Sequence, residues 1–466
     1  MITPDQAISS EEFEQLVQGI GAPIGPFAVA VSGGADSMAL CRLANSWAKR
    51  FGAKLTALTV DHDLRRTSAA EANQVAKWMA GLGIAHTGLK WAGPKPQTGV
   101  QAAARDARYA LMGAWCRDND VGTLLVAHHR DDQAETYLMR LSRGSGPNGL
   151  AGMSTTTYLH GVHIARPLLG IPKIRLLATC AALGQRWIDD PSNHNPRYAR
   201  TQIRARLAAK ENSGDIAEKT QGFGIARAAR DRTIRSILKK AATEYAAGFV
   251  RLNWRMLTDA TEDVGAGALG RVLSRVSGAP HGPRTNKLAA LHRAVARGLT
   301  ATRSLHRCLA MPQADGHVLI FREPRNLPTV PIVAGSKFTW DRRFVVALEP
   351  GSKSDGMTVG PLGHKGWGQV RDRAKSAHPT IPTQLCYAVP ALFHQERVIS
   401  APNLEVPSEM GRFTAQFSPT LSLFPYPFAV VSSGKTPIFR EAKLAKDYET
   451  PVLAEFGTKI GPFANG

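Results

Sequence analysis

Between residues 27 and 190, short strand-like runs alternate with segments whose apolar residues recur at helical spacing. The runs at 27–31, 54–60 and 123–127 end abruptly in polar residues, whereas 100–118 carries its apolar residues on one face of a helix. This alternation is typical of an α/β fold with a doubly wound, mainly parallel sheet. Ligands of such sheets bind at the carboxyl ends of the strands, so the polar residues after each run are the first candidates for a site.

The composition of the chain changes after residue 210, and a length of 466 residues predicts more than one domain. We assign 1–210 to the α/β domain. Residues 211–327 are rich in Ala, Leu and Arg and predict a small helical domain with a terminal hairpin at 306–322. Residues 328–466 contain more Pro and Gly and several short strand-like runs, which predict a β-rich accessory module.

The chain is strongly basic, since 58 Lys and Arg against 37 Asp and Glu give a formal net charge of +21. Residues 1–210 hold 24 basic and 16 acidic residues (+8), and residues 211–466 hold 34 and 21 (+13). This excess predicts a polyanionic partner, and nucleic acid rather than a membrane. No apolar run approaches the roughly 20 residues that span a bilayer. The acidic N-terminal segment resembles neither a secretory signal nor a transit peptide, so we expect a cytoplasmic protein.

A glycine-rich turn follows the first predicted strand and opens a helix; its sequence is Ser32-Gly33-Gly34-Ala35-Asp36-Ser37. Glycine lets the backbone approach phosphate oxygens, and the amides at the start of the helix then face the anion. The Ser32 and Ser37 hydroxyls can add donors, and the Asp36 carboxylate can hold a divalent metal that bridges the phosphates. A plain strand-to-helix turn is the alternative, but the whole hexapeptide in this context favours phosphate binding.

The same hexapeptide is the pyrophosphate loop, or PP-loop, of the N-type ATP pyrophosphatases, which transfer AMP to an oxygen atom and release pyrophosphate. Within that superfamily, residues 27–205 resemble the tRNA(Ile)-lysidine synthases, because six further segments follow in the family's order. They are Val60-Asp61-His62 with Leu64-Arg65, 103–109 (AARDARY), 128–136 (HHRDDQAET), 143–153 (RGSGPNGLAGM), 166–169 (RPLL) and Trp187 with 190–193 (DPSN). The resemblance implies that adenosine lies near Val60, Asp61 and His62.

The resemblance also implies a reaction in two steps. ATP would adenylate the C2 oxygen of the wobble cytidine in a tRNA(Ile) with a CAU anticodon, and free L-lysine would then displace AMP through its ε-amine to form lysidine. Adenylation is needed because the urea-like C2 carbonyl is a poor electrophile without a leaving group. The implied cofactors are ATP and Mg²⁺, with Asp36 as the metal ligand, and the partners are tRNA(Ile) and lysine. A monomer and a homodimer both remain open.

Two acidic residues, Asp132 and Glu135, lie three positions apart on the helix predicted after 123–127, so their carboxylates share one face. Neighbouring acids raise each other's pKa unless a cation lies between them, which favours Mg²⁺ or an amine substrate here. A solvated helix start, where acids suit the helix dipole, is the alternative. The resemblance assigns the pair to the ammonium of free lysine and places His128 near the phosphates.

Arginines supply the candidate contacts to RNA. Arg105 and Arg108 share a face of the helix predicted at 100–118, where a guanidinium group suits a phosphate or a base edge, although a solvated basic face is the alternative. We expect Arg108 to act in catalysis and Arg105 to contact tRNA. Stacking and phosphate pairing also predict tRNA contacts for three arginines after the DPSN segment: Arg197, Arg200 and Arg204.

Other functions remain open for a chain with this loop. A tRNA thiolase needs reactive or cluster-binding cysteines, and the five cysteines here are scattered without a CxxC pair. A small-molecule amide synthetase has no use for a long basic C-terminal part. A non-catalytic RNA-binding relative would have no need of Asp36, Asp132 and Glu135, which argues against it.

Overall fold

The structure is a computed structural model that describes residues 7–431 except 22, 24, 65–66, 94, 190–202, 204–212, 379–380, 409, 420 and 426. These residues form two compact units. The first contains the described part of 7–231 together with 427–431, and the second contains that of 232–425. The domain boundaries predicted at 210 and 327 stay predictions. Arg197, Arg200 and Arg204 lie outside the described residues.

The first unit is the predicted α/β fold. Its strands are β1 (Phe27–Ala30), β2 (Leu55–Asp61), β3 (Ala85–Lys90), β4 (Thr123–Leu125), β5 (Thr156–Leu159) and β6 (Val162–Ala165). Its helices include α1 (Ser10–Gly19), α2 (Ala35–Phe51), α3 (Ser68–Gly81), α4 (Val100–Asp118), α5 (Arg130–Leu141), α6 (Pro147–Leu150) and α7 (Lys173–Ala182). The sequence did not predict β3, because that strand has no fully buried residue and no unbroken apolar run.

The six strands form one sheet in the order β3-β2-β1-β4-β6-β5. Neighbouring strands run parallel except for β5, which pairs antiparallel with β6. The chain builds outward from β1 to β3 on one side and from β4 on the other, so the winding reverses between β1 and β4. At such a switch point, the segments that follow the two strands diverge and leave a crevice at their carboxyl ends. The segments after β1, β2 and β4 therefore lie along one edge of the sheet.

Both faces of the central strand β1 are covered by apolar layers. Phe27 and Val29 pack on one side in a cluster to which α1, α2, α3 and α7 contribute, whereas Ala28 packs on the other with Leu58, Met112 and residues of β4 and β6. A strand buried on both faces gains from apolar residues at every position. This burial explains why the sequence shows an unbroken apolar run there rather than an alternating pattern.

The second unit combines helices with antiparallel sheets. Helix α8 (Ser213–Ala241) crosses the border between the units, and the helices of the second unit are α9 (Arg255–Thr258), α10 (Glu262–Ser277), α11 (Thr285–Ala296), α12 (Gly363–Ala377) and α13 (Thr383–Cys386). Its strands are β7 (Ala242–Tyr245), β8 (Phe249–Asn253), β9 (Arg303–Leu305), β10 (Cys308–Pro312), β11 (His317–Arg322), β12 (Val330–Pro331), β13 (Lys337–Trp340), β14 (Phe344–Leu348), β15 (Met357–Pro361), β16 (Pro390–His394), β17 (Arg397–Ser400) and β18 (Phe413–Phe417). Within the described ranges, none of the helices has the length and apolar character to cross a membrane.

The strands of the second unit form three sheets, in the orders β7-β8-β11-β10-β9, β12-β15-β16-β17 and β13-β14-β18. The last two confirm the predicted β-rich character of 328–466, and the β10–β11 pair confirms the predicted hairpin. Helices were predicted for 211–305 and are present, but β7, β8 and β9 were not predicted. Strand β7 begins directly after α8 without a Gly or Pro between them, so no local signal marks the change from helix to strand.

Candidate active site

The predicted phosphate-binding hexapeptide spans the loop after β1 and the first turn of α2. Gly33 has a φ of 88°, in the left-handed region that favours glycine. A Cβ atom at this position would lie 2.9 Å from both Ile188 Cδ1 and Val75 Cγ2, so the packing also requires glycine. The backbone N–H of Ile188 donates to the Gly33 carbonyl oxygen at 2.9 Å. The loop is therefore held by a segment more than 150 residues further along the chain.

The side chains of Ser32 and Ser37 lie close together, and Ser37 forms hydrogen bonds with the backbone of the loop. Ser37 Oγ donates to the carbonyl oxygen of Gly34 at 2.9 Å and accepts from the backbone N–H of Ser32 at 3.1 Å. The two hydroxyl oxygens lie 3.2 Å apart. Gly34 precedes α2 and provides no side-chain cap. The first amides of a helix need acceptors from outside it, and an anion at the carboxyl edge of the sheet can supply them.

A buried histidine lies among three aspartates at the carboxyl end of β4. His129 is 2% exposed. Its Nε2 atom lies 3.5 Å from Asp36 Oδ2 and 3.5 Å from Asp132 Oδ2, and its Nδ1 atom lies 3.5 Å from Asp131 Oδ2. Burial acts to lower the pKa of His129, but the carboxylates of Asp131, Asp36 and Asp132 outweigh it and raise that pKa to about 10. The imidazolium ion is thus a cation between the loop carboxylate and the α5 carboxylate.

Sequence reasoning selected His128 and overlooked its neighbour His129. His129 caps the N-terminus of α5, and its backbone N–H donates to Asp132 Oδ2 at 3.1 Å. A histidine two and three positions before Asp131 and Asp132, at a strand-to-helix junction, is a signal that could have identified it. His128 is half-buried at the preceding position, and its role stays a prediction.

The three acidic residues at the start of α5 differ in their surroundings. Glu135 is 1% exposed, whereas the Asp132 side chain keeps 13% of its surface in contact with solvent. Asp131 Oδ2 accepts the backbone N–H of Lys173 at 2.8 Å, which ties the start of α5 to the start of α7. Asp131 therefore has a structural role. The two residues that the sequence paired, Asp132 and Glu135, lie one turn apart with only Asp132 at the surface.

The glycine-rich segment after α5 fixes the orientation of that helix. Gln133 exchanges two hydrogen bonds with the backbone of Met153, one from Nε2 to the carbonyl oxygen (2.9 Å) and one from the N–H to Oε1 (2.6 Å). Arg140 donates to the carbonyl oxygens of Gly149 and Gly152 at 2.7 and 2.9 Å. A Cβ atom on Gly152 would lie 2.5 Å from Gln133 Oε1, so this segment packs closely on the helix that carries the paired carboxylates.

At the end of β2, after Val60 and Asp61, the His62 ring accepts hydrogen bonds from Arg108. The Nε and Nη2 atoms of Arg108 both lie 3.1 Å from His62 Nε2. Burial, followed by the charge of Arg108, lowers the pKa of His62 to about 4. The ring is therefore neutral at pH 7, and its Nε2 can accept. The ring of Trp91, just after β3, meets the His62 ring edge-on with centroids 6.1 Å apart.

The remaining predictions for this region concern Arg105 and the metal. The guanidinium carbon of Arg105 lies 5.3 Å from the centroid of the Tyr109 ring, one turn further along α4. In the part of the chain that the structure describes, no group of three or more His, Cys, Asp or Glu side chains is arranged to hold a metal ion. A Mg²⁺ ion on Asp36 would therefore need phosphate oxygens and water for its other ligands, which is usual for Mg²⁺ bound with nucleotides.

The family model described as a PP-loop domain matches residues 6–211. This range contains the whole sheet of the first unit and the loop between β1 and α2, so the fold and the site agree with the match. The chain thus carries a PP-loop ATP-binding domain. Among solved structures, the U34-tRNA thiolase NcsA from Methanococcus maripaludis has a TM-score of 0.40 and 16% identity, and the match covers 46% of this chain and 78% of that one.

Curated relatives identify the particular family. The tRNA(Ile)-lysidine synthase of Rhodopseudomonas palustris is 42% identical over 248 residues, 53% of this chain and 71% of the relative. That of Rhizobium meliloti is 36% identical over 331 residues (68% and 72%), and that of Wolbachia pipientis wMel is 32% identical over 344 residues (72% and 79%). The chain belongs to the tRNA(Ile)-lysidine synthase family.

Proposed function

We propose that this protein ligates free L-lysine to C2 of the wobble cytidine of a CAU-anticodon tRNA(Ile), with ATP split into AMP and pyrophosphate. Membership of the family supports the reaction. One structural observation carries the assignment of the site: His129 Nε2 lies 3.5 Å from both the loop carboxylate of Asp36 and the α5 carboxylate of Asp132. A nucleotide on the loop and an amine on α5 would therefore meet at one edge of the sheet.

The PP-loop, Ser32–Ser37, binds the phosphate end of ATP in this proposal. Strands β1 and β2 are parallel neighbours, so a nucleotide can extend from the loop after β1 to Val60, Asp61 and His62 at the end of β2. Asp36 would hold Mg²⁺ together with phosphate oxygens. When bound, this ion would neutralise phosphate charge and make the α-phosphate easier for the C2 oxygen to attack. The backbone and hydroxyl groups of the loop orient the pyrophosphate that leaves.

The α5 carboxylates bind and orient lysine. The amine that attacks C2 must be unprotonated, and the bond that it forms displaces AMP. Asp132 is the acid that solvent and substrate reach, so it can accept the proton that the amine loses. The imidazolium of His129 fixes the Asp132 carboxylate in position.

Arginines on α4 position the RNA. Arg108 is held by His62 at the edge of the adenosine site, where its remaining donors can bind a phosphate or the cytidine ring of the substrate. Arg105 lies one turn away on the same helix and would contact the tRNA backbone. The same role is proposed for three arginines outside the described residues: Arg197, Arg200 and Arg204.

The cysteines weigh against the alternative of a tRNA thiolase. All five are buried. Burial raises the pKa of the Cys41, Cys308 and Cys386 thiols to about 12 and that of Cys116 and Cys180 to about 11. Sulfur transfer and cluster binding require accessible thiolates. These thiols are suited to packing in the interior instead.

The experiment that tests the proposal is nucleoside mass spectrometry of tRNA(Ile) after incubation with the protein, ATP and lysine. We expect lysidine in the digested tRNA, with one pyrophosphate and one AMP released for each lysidine formed. A tRNA(Met) with the same CAU anticodon is the matched control and should remain unmodified. Unmodified tRNA(Ile), or a product that forms equally well without lysine, would refute the proposed reaction.

A further inference from the structure

The second unit contains a cavity of about 530 Å³ at one end of its five-stranded sheet. The cavity lies between the end of β8, the turn that joins β10 to β11, and the residues after α11. Its volume is within the roughly 300–1,000 Å³ of ordinary small-molecule sites. All its lining residues belong to the second unit, so it is a different site from the PP-loop.

The β10–β11 turn lies close to Trp254 and Arg255 and forms one wall of this cavity. Gly316 has a φ of 76°, and a Cβ atom on it would lie 3.8 Å from Arg255 Nε and 4.0 Å from Trp254 Nε1. The backbone N–H of Gln313 donates to the His317 carbonyl oxygen at 2.8 Å, which closes the turn. Gly316, which has no side chain, therefore lies opposite the side chains of Trp254 and Arg255.

Three adjacent residues, 253–255, bring three kinds of contact to the cavity. Trp254 is half-buried and provides an aromatic ring. Arg255 is exposed, its guanidinium carbon lies 6.0 Å from the centroid of that ring, and it forms no ion pair within the described chain. Asn253 Oδ1 is buried and accepts no hydrogen bond from any residue that the structure describes. A buried acceptor without a donor is costly, so a ligand that donates here gains affinity.

The acidic residue in the cavity wall does not cancel the charge of Arg255. Asp315 Oδ2 lies 2.5 Å from Arg251 Nη2, and Asp315 Oδ1 lies 3.1 Å from His317 Nδ1. Burial acts to raise the pKa of Asp315, but these neighbours, Arg251 above all, outweigh it and lower that pKa. Asp315 is therefore an ionised carboxylate already neutralised by Arg251. Arg255 remains to attract an anion.

We propose that this cavity, the Trp254 cavity, binds one unpaired nucleotide of the tRNA substrate. The base stacks on Trp254, its phosphate pairs with Arg255, and an exocyclic amino group of the base donates to Asn253 Oδ1. Stacking on an aromatic ring and pairing with arginine are the usual means of holding unpaired bases. Cytosine, adenine and guanine carry the required amino group and uracil does not, so the cavity favours those three over uracil. The inference rests on the proposed function, because a tRNA substrate supplies the nucleotide.

Binding of tRNA(Ile) to the full chain tests the stacking and charge contacts. Removal of a stacked base contact costs about 1–3 kcal/mol, so Trp254→Ala should weaken tRNA binding roughly five- to a hundredfold. Trp254→Phe keeps an aromatic face and the packing of this position, and it should retain most of the affinity. Arg255→Ala should weaken binding more than Arg397→Ala, a matched loss of one exposed arginine from β17 in the same unit. Wild-type affinity in Trp254→Ala, or equal losses in the two arginine variants, would overturn the inference.

Two pyrimidine oligonucleotides test the contact to Asn253. Cytidine and uridine hexamers stack similarly but differ in the amino group, so the full chain should bind the cytidine hexamer more tightly. Asn253→Leu keeps the size of the side chain without the acceptor and should remove that difference. Discrimination that persists in Asn253→Leu would place it at the catalytic cytidine site and contradict the proposal. Binding of CMP alone with unchanged tRNA affinity in the variants would contradict it as well.

Lysidine formation separates this inference from the proposed function. If wild-type protein makes lysidine while Trp254→Ala raises the KM for tRNA and leaves kcat and the KM for lysine unchanged, both proposals are supported. If wild-type protein makes lysidine and Trp254→Ala has normal kinetic constants for tRNA, only the cavity proposal fails. If wild-type protein makes no lysidine, the proposed function fails, whatever the variants bind.

Discussion

Two buried charge clusters, one in each unit, are built differently. In the second unit, Arg275 forms a pair with Glu244 through two hydrogen bonds of 2.6 and 3.0 Å and also donates to the carbonyl oxygens of Pro419 and Leu421. Charge and hydrogen-bonding capacity are matched there. In the first unit, the imidazolium of His129 is surrounded by three aspartates at 3.5 Å, so acid exceeds base.

This difference distinguishes a structural pair from the proposed binding site. A matched pair of a bidentate arginine and a carboxylate has little left to offer a ligand. A cluster with surplus carboxylate attracts a further cation, whether a metal or an amine. The surplus lies at the carboxyl edge of the parallel sheet, where the helices leave a crevice, whereas Arg275 and Glu244 lie inside a closed core and are both at most 5% exposed.

The largest expected effect comes from the loop carboxylate. Asp36→Ala should abolish tRNA-dependent pyrophosphate release, because the proposed metal bridge to the phosphates is lost while no core side chain is removed. Asp118→Ala, which removes an exposed acid at the end of α4, is the control and should leave the rate unchanged. Normal pyrophosphate release by Asp36→Ala would show that this residue is not part of the ATP site.

Breaking the pair of Arg275 and Glu244 should lower the stability of the second unit and leave catalytic activity unchanged. Glu244→Gln leaves the buried Arg275 guanidinium without its counter-charge, and the loss of one partner from a buried pair costs about 3–5 kcal/mol. We expect urea unfolding of the second unit at a clearly lower midpoint, with wild-type kcat for the fraction that stays folded. Unchanged unfolding would mean that the neighbouring carbonyl oxygens suffice for Arg275.

A change in the acidic cluster around His129 should act on one substrate, lysine. Asp132→Asn removes the carboxylate that the substrate reaches in the proposed lysine site, and the loss of a charged hydrogen bond costs about 1.5–3 kcal/mol, roughly ten- to a hundredfold. The KM for lysine should rise by that factor, and the KM for ATP should stay nearly constant in steady-state assays of pyrophosphate release. Equal increases in both constants would instead indicate a metal site shared by the two substrates.

The last expected effect concerns pH. His129 has a folded-state pKa of about 10 against an ordinary value of 6.5. Its stabilising contribution is complete below pH 6.5 and is lost as the pH rises towards 10, because the unfolded chain gives up the proton first. Thermal unfolding of the first unit should shift to lower temperature between pH 7 and pH 10, and His129→Gln should flatten this dependence. A flat profile for the wild-type protein would show that the imidazole is neutral in the folded state.

The sequence by itself determined the parts of this protein that rest on local pattern. Apolar runs predicted β1 and β4, because strands buried on both faces leave an unbroken apolar signature, and the strand-like run at 54–60 predicted β2. The hexapeptide Ser32–Ser37 predicts a phosphate site, because glycine and a helix start are local requirements for anion binding. The spacing of Asp132 and Glu135 predicted that they share one helix face. This prediction is also local, because helical periodicity relates residues only a few positions apart.

Tertiary structure decided what depends on residues far apart in the chain. The pairing of Arg108 with His62 joins positions 46 residues apart. The contact of His129 with Asp36 joins the start of α5 to the start of α2. The same holds for the Trp254 cavity, whose wall combines the end of β8 with a turn about 60 residues later. Periodicity reports which face of an element is buried but not which partner covers it, because the partner is chosen by packing of the whole sheet. The sequence thus specified the elements and the loop chemistry, and the packing of the strands decided which side chains meet.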